Sequence, residues 1–288
     1  MKLSDRFNKG KALVSFEIFP PKQTVTLESI FKTTEGLQTL NPDFTSITYG
    51  AGGSASDRTI ETADKIKNTY GVEALAHLTC INSHKDDIDL MLNQLQAHNI
   101  ENILAMRGDY PINKNNNKGK ENTYQYAKDL IAHIKSNHDF CIAAAAYPEG
   151  HPECPDLNTD LLHLKEKVNS GTDFLITQMF FDNTILYDFL DRIKQVNITI
   201  PVSAGIMPLL NSKQVGRIKG LCGASIPKPL QNIIQKYENS PLDFEKAGIE
   251  YACSQITDLI ANQVDGIHLY TMNKLEQSKS IIQQTNLR

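Results

Sequence analysis

The sequence predicts an α/β protein of the (β/α)8 or TIM-barrel class, with extra helices before its last strand. Short apolar runs alternate with amphipathic segments along the whole chain, which is the pattern of repeated βα units. Eight such runs within 288 residues fit a barrel of roughly 250 residues or more. The first run is followed by FPPKQ, at 19–23, instead of the glycine-rich phosphate turn of an open nucleotide-binding sheet.

The strands and helices follow from the period of the apolar residues. The eight predicted strands, in chain order, are residues 13–19, 44–48, 73–78, 102–106, 141–146, 173–177, 199–204 and 266–270. Helical spacing follows the first three strands and recurs near residues 126–134, 160–168, 185–193 and 215–221. Gly71 and Gly171 suit helix C-caps. Two further helices, near 228–238 and 243–263, form the predicted insertion.

No segment has the composition of a domain linker, so we expect a single catalytic domain spanning residues 1–288. The stretch 111–122 is rich in Asn, Lys and Gly and is interpreted as a solvated loop.

Composition argues for a small-molecule partner. The formal net charge is −4 and no long basic run occurs, so neither a nucleic acid nor an anionic membrane is expected as a partner. The N-terminus lacks the apolar core of a signal peptide, and no window is apolar enough to span a membrane, so we expect a cytoplasmic protein. The five cysteines are scattered, without a CxxC pair, and are interpreted as free thiols.

Polar residues at the carboxyl ends of the predicted strands are the candidate functional residues, because barrel active sites lie at that face. Glu17 is the leading candidate acid. It lies among Val14, Phe16, Ile18 and Phe19, and partial desolvation there favours the protonated carboxyl that a proton donor needs.

The other strand-end motifs are weaker signals. Arg107, Gly108 and Asp109 combine a fixed cation, a flexible backbone and a carboxylate, which suits a planar polar ligand, although an ordinary ion pair gives the same pattern. The glycine-rich loop at 49–54 matches no established phosphate-binding signature. His77, Cys80 and His84 form an irregularly spaced, metal-like group, and a hydrogen-bonded His77 is the preferred interpretation, so no metal is expected.

Eight ordered motifs resemble those of methylenetetrahydrofolate reductases. They are VSFEIFPPK, SITYGAGGS, AHLTC, LAMRGDYP, AAYPEGHPE, ITQMFFD, GIMPL and HLYTMN, and they span nearly the whole chain. The resemblance implies a barrel that binds FAD tightly and uses NADH or NADPH to reduce 5,10-methylenetetrahydrofolate to 5-methyltetrahydrofolate by ping-pong turnover, for methionine synthesis. It also implies a homo-oligomer. The length resembles that of the bacterial catalytic barrel.

The resemblance also assigns roles to positions. Glu17 would protonate N10 of the folate, and Asp109 would face both pterin and flavin. The implied flavin contacts are Thr48, Tyr49, Ala51, His77, Arg107, Gly108, Asp109, Tyr126, Ala127, Tyr147, His151, Asp160, His163 and Lys167. The implied substrate contacts are Glu17, Thr48, Asp109, Gln178, Gln214, Tyr270 and Lys274.

Three positions depart from the pattern of a family member. His163 stands where that relative has Asn, Lys274 where it has Arg, and Ile218 where it has an aromatic residue. Lys274 keeps a charge for the glutamate tail of a folate but lacks the bidentate guanidinium.

Three alternatives remain open at this stage. They are another FAD-dependent barrel oxidoreductase similar to proline dehydrogenase, a metal-dependent hydrolase or methyltransferase that uses His77, Cys80 and His84, and a catalytically silent binding protein. Retention of Glu17 and Asp109 speaks against the last.

Overall fold

A closed barrel of eight parallel strands forms the centre of the molecule. The computed structural model describes residues 1–7, 10–20, 27–49, 55–81, 83–108 and 123–288. The strands pair in sequence order, and β1 pairs with β8 to complete the ring. They are β1 (Leu13–Ile18), β2 (Phe44–Ile47), β3 (Glu73–Thr79), β4 (Asn102–Met106), β5 (Cys141–Ala146), β6 (Phe174–Thr177), β7 (Val202–Ile206) and β8 (Gly266–Tyr270). The predicted fold class is confirmed.

Helices surround the barrel. Those within the described ranges are α1 (Leu27–Gln38), α2 (Ala55–Asp64), α3 (Lys85–Ala97), α4 (Ala127–Asn137), α5 (Leu157–Asn169), α6 (Asn183–Gln195), α7 (Ser212–Leu221), α8 (Lys228–Tyr237), α9 (Pro241–Ala261) and α10 (Leu275–Thr285). The two inserted helices, α8 and α9, precede β8 as expected. None of the helices in these ranges combines the length and apolar character needed to cross a membrane.

Some boundaries differ from the prediction. The seventh strand was placed at 199–204 but runs from Val202 to Ile206. Pro201 has no N–H to donate to a strand ladder, and its carbonyl accepts the Leu175 N–H at the edge of the strand. Helix α9 begins at Pro241, a residue favoured in a first helical turn, and not at 243. Helix α10 was not predicted. Gly71 and Gly171 have positive φ, as expected of residues that end helices.

Alternation along the strands divides the apolar side chains into two cores. Val14, Phe16 and Ile18 pack in the large core between sheet and helices, whereas Leu13 belongs to a second core with Phe44, the first residue of β2. This second core fills the amino-terminal end of the barrel, where the short 3-10 helix Leu3–Arg6 closes it. The polar side chains inside the barrel therefore lie nearer the carboxyl-terminal ends of the strands. The five cysteines are free thiols, as predicted.

A third apolar cluster lies beside the carboxyl-terminal mouth. Helices α7, α8 and α9 supply Ile218, Leu230 and Phe244, which pack with residues that follow β6 and β7. A Cβ at Gly248 on α9 would lie 1.8 Å from the Leu209 carbonyl oxygen, so α9 rests directly on the segment after β7. The insertion therefore walls one side of the mouth.

Candidate active site

All eight strands are parallel, so their carboxyl ends lie at the same end of the barrel. The predicted strand-end residues therefore meet at one mouth. Glu17 and Tyr270 lie within β1 and β8, paired in register, whereas Thr48, Arg107, Tyr147 and Gln178 directly follow their strands. Asp109 and Ala51, and the loops at 50–54 and 109–122, lie outside the described residues.

Glu17 lies between two buried histidines. Its Oε2 is 3.7 Å from His77 Nε2 on β3 and 3.6 Å from His268 Nε2 on β8, and only 12% of its side chain is exposed. Ser46 Oγ lies 2.5 Å from His77 Nε2, and Ser15 Oγ lies 2.7 Å from His268 Nδ1. The carboxyl thus lies in a layer of imidazoles and hydroxyls, above the second apolar core at the amino-terminal end of the barrel.

His77 is neutral at physiological pH. Burial lowers the pKa of His77 to about 4, which outweighs the opposing effect of the Glu17 carboxylate. His77 can therefore accept or donate one hydrogen bond at each ring nitrogen without placing a fixed positive charge beside Glu17.

The backbone of Glu17 is held by the segment that follows β8. Thr271 Oγ1 donates to the Glu17 carbonyl oxygen at 2.6 Å. Asn273 pairs with both backbone groups of Phe19, accepting from its N–H and donating to its carbonyl oxygen, each at 2.9 Å. Met272 and Asn273 both adopt positive φ to make this turn. The end of β1 is therefore fixed by side chains where strand pairing stops.

Tyr270 crosses over β7 to reach β6. Its hydroxyl donates to the Thr177 carbonyl oxygen at 2.9 Å, and Gly205 lies beneath the ring, where a Cβ would come within 2.9 Å of Tyr270 Cε2. Burial, with a smaller contribution from Glu17, raises the pKa of Tyr270 well above its usual value, so the phenol stays protonated.

A second group, with two basic side chains, lies at the β4 and β5 side of the mouth. Arg107 forms a bidentate ion pair with Glu153, with Nη1–Oε2 at 2.6 Å and Nη2–Oε1 at 2.9 Å. Lys167 reaches from α5 to the Ala145 carbonyl oxygen at 2.5 Å, and burial lowers its pKa to about 8. Burial and the nearby Arg107 lower the pKa of His151, whose ring packs 4.7 Å from that of Tyr147.

The remaining predicted contacts are spread along the rim. Tyr126 is exposed and Ala127 begins α4, and Tyr49 Oη donates to Met91 Sδ at 3.6 Å. His163 and Asp160 lie on α5, where His163 Nδ1 is 4.0 Å from Cys154 Sγ.

Three further positions singled out from the sequence lie on or beside helices α7 and α10. Gln214 Oε1 accepts the N–H groups of Leu210 and Asn211 and so caps α7. Lys274 is exposed at the start of α10, and Ile218 is buried in the third apolar cluster.

The metal-like residues serve separate local purposes. His77 pairs with Ser46, and His84 begins α3 as its N-cap residue. The Cys80 thiol is buried, and burial raises its pKa to about 12, which disfavours the thiolate that a zinc ion requires. Among the described residues, no three His, Cys, Asp or Glu side chains have the arrangement of a metal site.

Comparison with known proteins identifies the family. The family model described as methylenetetrahydrofolate reductase matches residues 2–286. The 5,10-methylenetetrahydrofolate reductase of Salmonella typhimurium is 34% identical over 97% of this chain and 93% of its own length. The chain belongs to the methylenetetrahydrofolate reductase family.

Plant relatives are longer. The chain is 33% identical to methylenetetrahydrofolate reductase (NADH) 1 of Arabidopsis thaliana and spans 51% of its length. It thus covers about half of the plant members and nearly all of the bacterial ones.

A solved structure shares the barrel. It is that of an uncharacterized protein from Clostridium thermocellum that binds two copies of 5-methyl-5,6,7,8-tetrahydrofolic acid, with a TM-score of 0.67 and 18% identity over 97% of this chain and 96% of that chain. At this identity the likeness shows the fold alone.

Sequence reasoning missed several residues of this methylenetetrahydrofolate reductase family site. His268, Ser15 and Ser46 were not singled out, although the strand period of two places His268 on the same side of β8 as Tyr270, and Ser15 on the same side of β1 as Glu17. Gly205 and Asn273 carried no signal of their own, because their roles depend on neighbours far away in sequence.

Proposed function

We propose that residues 1–288 act as one FAD-binding catalytic barrel that reduces 5,10-methylenetetrahydrofolate to 5-methyltetrahydrofolate with NADH or NADPH, and so feeds methionine synthesis. The observation that carries the proposal is the placement of Glu17, partly buried between two imidazoles at the mouth of a barrel whose chain belongs to this family. Cytoplasmic location and homo-oligomeric assembly are part of the same proposal.

The second group of side chains at the mouth, which includes Arg107 and Lys167, suits the diphosphate of a flavin dinucleotide. Lys167 is half-buried, and among the described residues its hydrogen bond is to a carbonyl oxygen and not to an anion. A partly buried ammonium gains from an added anionic partner. Arg107 supplies a planar fork for phosphate oxygens once it leaves the exposed Glu153. Arg107, His151 and Lys167 would hold the diphosphate side of FAD, and Thr48, Tyr49, Gly108 and Tyr147 would line its path.

The flavin would supply hydride acceptance from the nicotinamide and hydride donation to the folate. The protein supplies orientation and one proton. Glu17 would protonate N10 of the folate so that the five-membered ring opens, and Gln178 and Tyr270 would align the substrate beside it. His77, being neutral, leaves the Glu17 proton available.

Asp109 and Ala51 remain part of the proposal, as pterin-facing and flavin-facing positions. Lys274, exposed at the start of α10, would pair with the negatively charged tail of the folate, and Gln214 would offer a further polar contact.

The test separates the two half-reactions. The FAD-loaded protein should bleach with NADH or NADPH and recolour with 5,10-methylenetetrahydrofolate, both followed by stopped-flow flavin absorbance. The plant relatives named for NADH make that nucleotide the first choice. Glu17→Gln should keep nicotinamide-dependent bleaching and lose folate-dependent recolouring by about 100-fold or more, the range expected for a lost general acid.

A carboxylate on the surface provides the matched control. Glu35 is exposed on α1, so Glu35→Gln should leave both half-reactions unchanged. Recolouring at the wild-type rate in Glu17→Gln would remove Glu17 from the reaction. Bleaching by proline in place of a nicotinamide would favour the proline-dehydrogenase alternative.

A further inference from the structure

We propose that Thr177, the last residue of β6, is a positioning residue for substrate binding, because its hydroxyl accepts a backbone N–H and so leaves its carbonyl oxygen free to hold Tyr270. The inference rests on the proposed function, in which Tyr270 and Gln178 align the folate. Thr177 itself touches no ligand in this proposal and acts through these two neighbours.

The backbone pairing of β6 with β7 stops just below the mouth. It ends with Ile176 opposite Ser203. In a regular parallel ladder the next hydrogen bond would join the Gly205 N–H to the Thr177 carbonyl oxygen. The Gly205 N–H donates instead to Thr177 Oγ1, at 2.8 Å. A side chain thus supplies the acceptor that the backbone supplies in a regular ladder.

The carbonyl oxygen that is left over binds a side chain from β8. Tyr270 reaches across β7, and its hydroxyl donates to the Thr177 carbonyl oxygen at 2.9 Å. Gly205 leaves room for this contact, since a Cβ there would lie 2.3 Å from the same carbonyl oxygen. Two donors, one N–H and one O–H, therefore meet the two acceptors of a single residue. Thr177 is fully buried, so bulk water does not replace either acceptor.

The same arrangement sets the position of Gln178. Its N–H donates to the Ala146 carbonyl oxygen of β5 at 2.7 Å, and its Oε1 accepts the Met179 N–H at 2.9 Å. On the side of β7, its position depends on Thr177, the preceding residue. Gln178 and Tyr270 are thus fixed to the same residue. We infer that Thr177 determines the spacing between these two proposed folate contacts.

A second buried threonine provides the matched control. Thr45 on β2 is fully buried, and its Oγ1 donates to Gln38 Oε1 on α1 at 3.0 Å. This hydrogen bond joins a strand to an outer helix, away from the mouth. Thr45→Val and Thr177→Val make the same chemical change, the loss of one buried hydroxyl, at two different places.

The first arm of the test counts donors and acceptors by thermal unfolding. Thr177→Val removes one acceptor and leaves one of the two donors unpaired, so Tm should fall by roughly 2–10 °C. Tyr270→Phe removes one donor. The double variant has one donor and one acceptor left, and it should therefore melt at a higher temperature than Thr177→Val alone. Thr177→Ser keeps the hydroxyl and should melt closer to the wild type than Thr177→Val does.

This double-mutant cycle has a clear contrary outcome. If the losses in Tm from Thr177→Val and Tyr270→Phe simply added, or if the double variant melted below Thr177→Val, the shared use of Thr177 by the two donors would be refuted.

The second arm follows the folate half-reaction by stopped-flow flavin absorbance. Thr177→Val should raise the apparent Kd for 5,10-methylenetetrahydrofolate by about tenfold, the size of effect expected when a buried donor loses its partner. The limiting rate should stay within about threefold of wild type, because the acid on β1 is unchanged. Thr177→Ser should restore the apparent Kd to within about twofold of wild type.

Thr45→Val should lower Tm and leave both kinetic values unchanged. If Thr177→Val affected folate no more than Thr45→Val does, Thr177 would be a structural residue alone and the positioning role would be refuted. If the wild type failed to reduce folate, the proposed function and the positioning role would fall together. The thermal cycle needs no turnover, and it would still decide whether one threonine satisfies both donors.

Discussion

Replacing Gly205 by alanine tests the packing that carries Tyr270 across the barrel. A Cβ at this position would lie 2.3 Å from the Thr177 carbonyl oxygen, 2.9 Å from Tyr270 Cε2 and 3.0 Å from its hydroxyl. Ordinary contacts of these atoms are about 3.5 Å, so either β6 or β7 must shift by about 1 Å. Moving the tyrosine ring alone does not relieve the contact with the backbone carbonyl.

The expected cost is that of overpacking a closed core, about 1–3 kcal/mol. For a chain of this size that corresponds to a fall in Tm of roughly 2–10 °C. The Tyr270–Thr177 hydrogen bond is strained at the same time, so we also expect weaker folate binding. Flavin reduction by NADH should be affected less, because the flavin-side groups lie across the mouth.

The assay is thermal unfolding by circular dichroism, with the folate half-reaction measured on the same samples. Gly216 on α7 is the matched control, since it is exposed and a Cβ there meets nothing within 4 Å. Gly216→Ala should raise stability by about 0.5–1 kcal/mol through helix propensity. If Gly205→Ala melted at or above the wild-type temperature, the close packing around Tyr270 would be wrong.

Two further predictions concern the proposed flavin site. Because the pKa of Lys167 is lowered to about 8, it is protonated below that pH, and pairing with a diphosphate favours the protonated form. FAD affinity should therefore be highest below about pH 8 and fall above it by up to about tenfold per pH unit, and Lys167→Met should bind FAD more weakly and lose this fall. Glu153→Gln should tighten FAD binding by up to about fivefold, since Arg107 no longer has to leave a carboxylate. Both are checked by flavin fluorescence titration from pH 7 to 10, and a pH-independent wild-type affinity or weaker binding by the Glu153 variant would contradict them.

Local patterns were enough to predict the barrel and the mouth. Apolar runs of strand length identified all eight strands, and three of them, β4, β5 and β8, were placed at their observed bounds. The rule that parallel barrels present their functional residues at strand ends then selected Glu17, Arg107, Gln178 and Tyr270 without knowledge of their neighbours.

The partners of those residues came only from the tertiary structure. Glu17 and His268 are 251 positions apart, and they meet because β1 and β8 close the ring with Ser15 opposite His268 and Glu17 opposite Tyr270. The register between β1 and β8 is set by packing throughout the barrel and by its closure, and the local apolar period of either strand does not determine it. The apolar period of the first strand and the strand-end rule were enough to place an acid at the barrel mouth. The two histidines on either side of this acid depend on the closed barrel, because ring closure pairs β8 with β1 on one side and β3 lies one strand beyond β2 on the other.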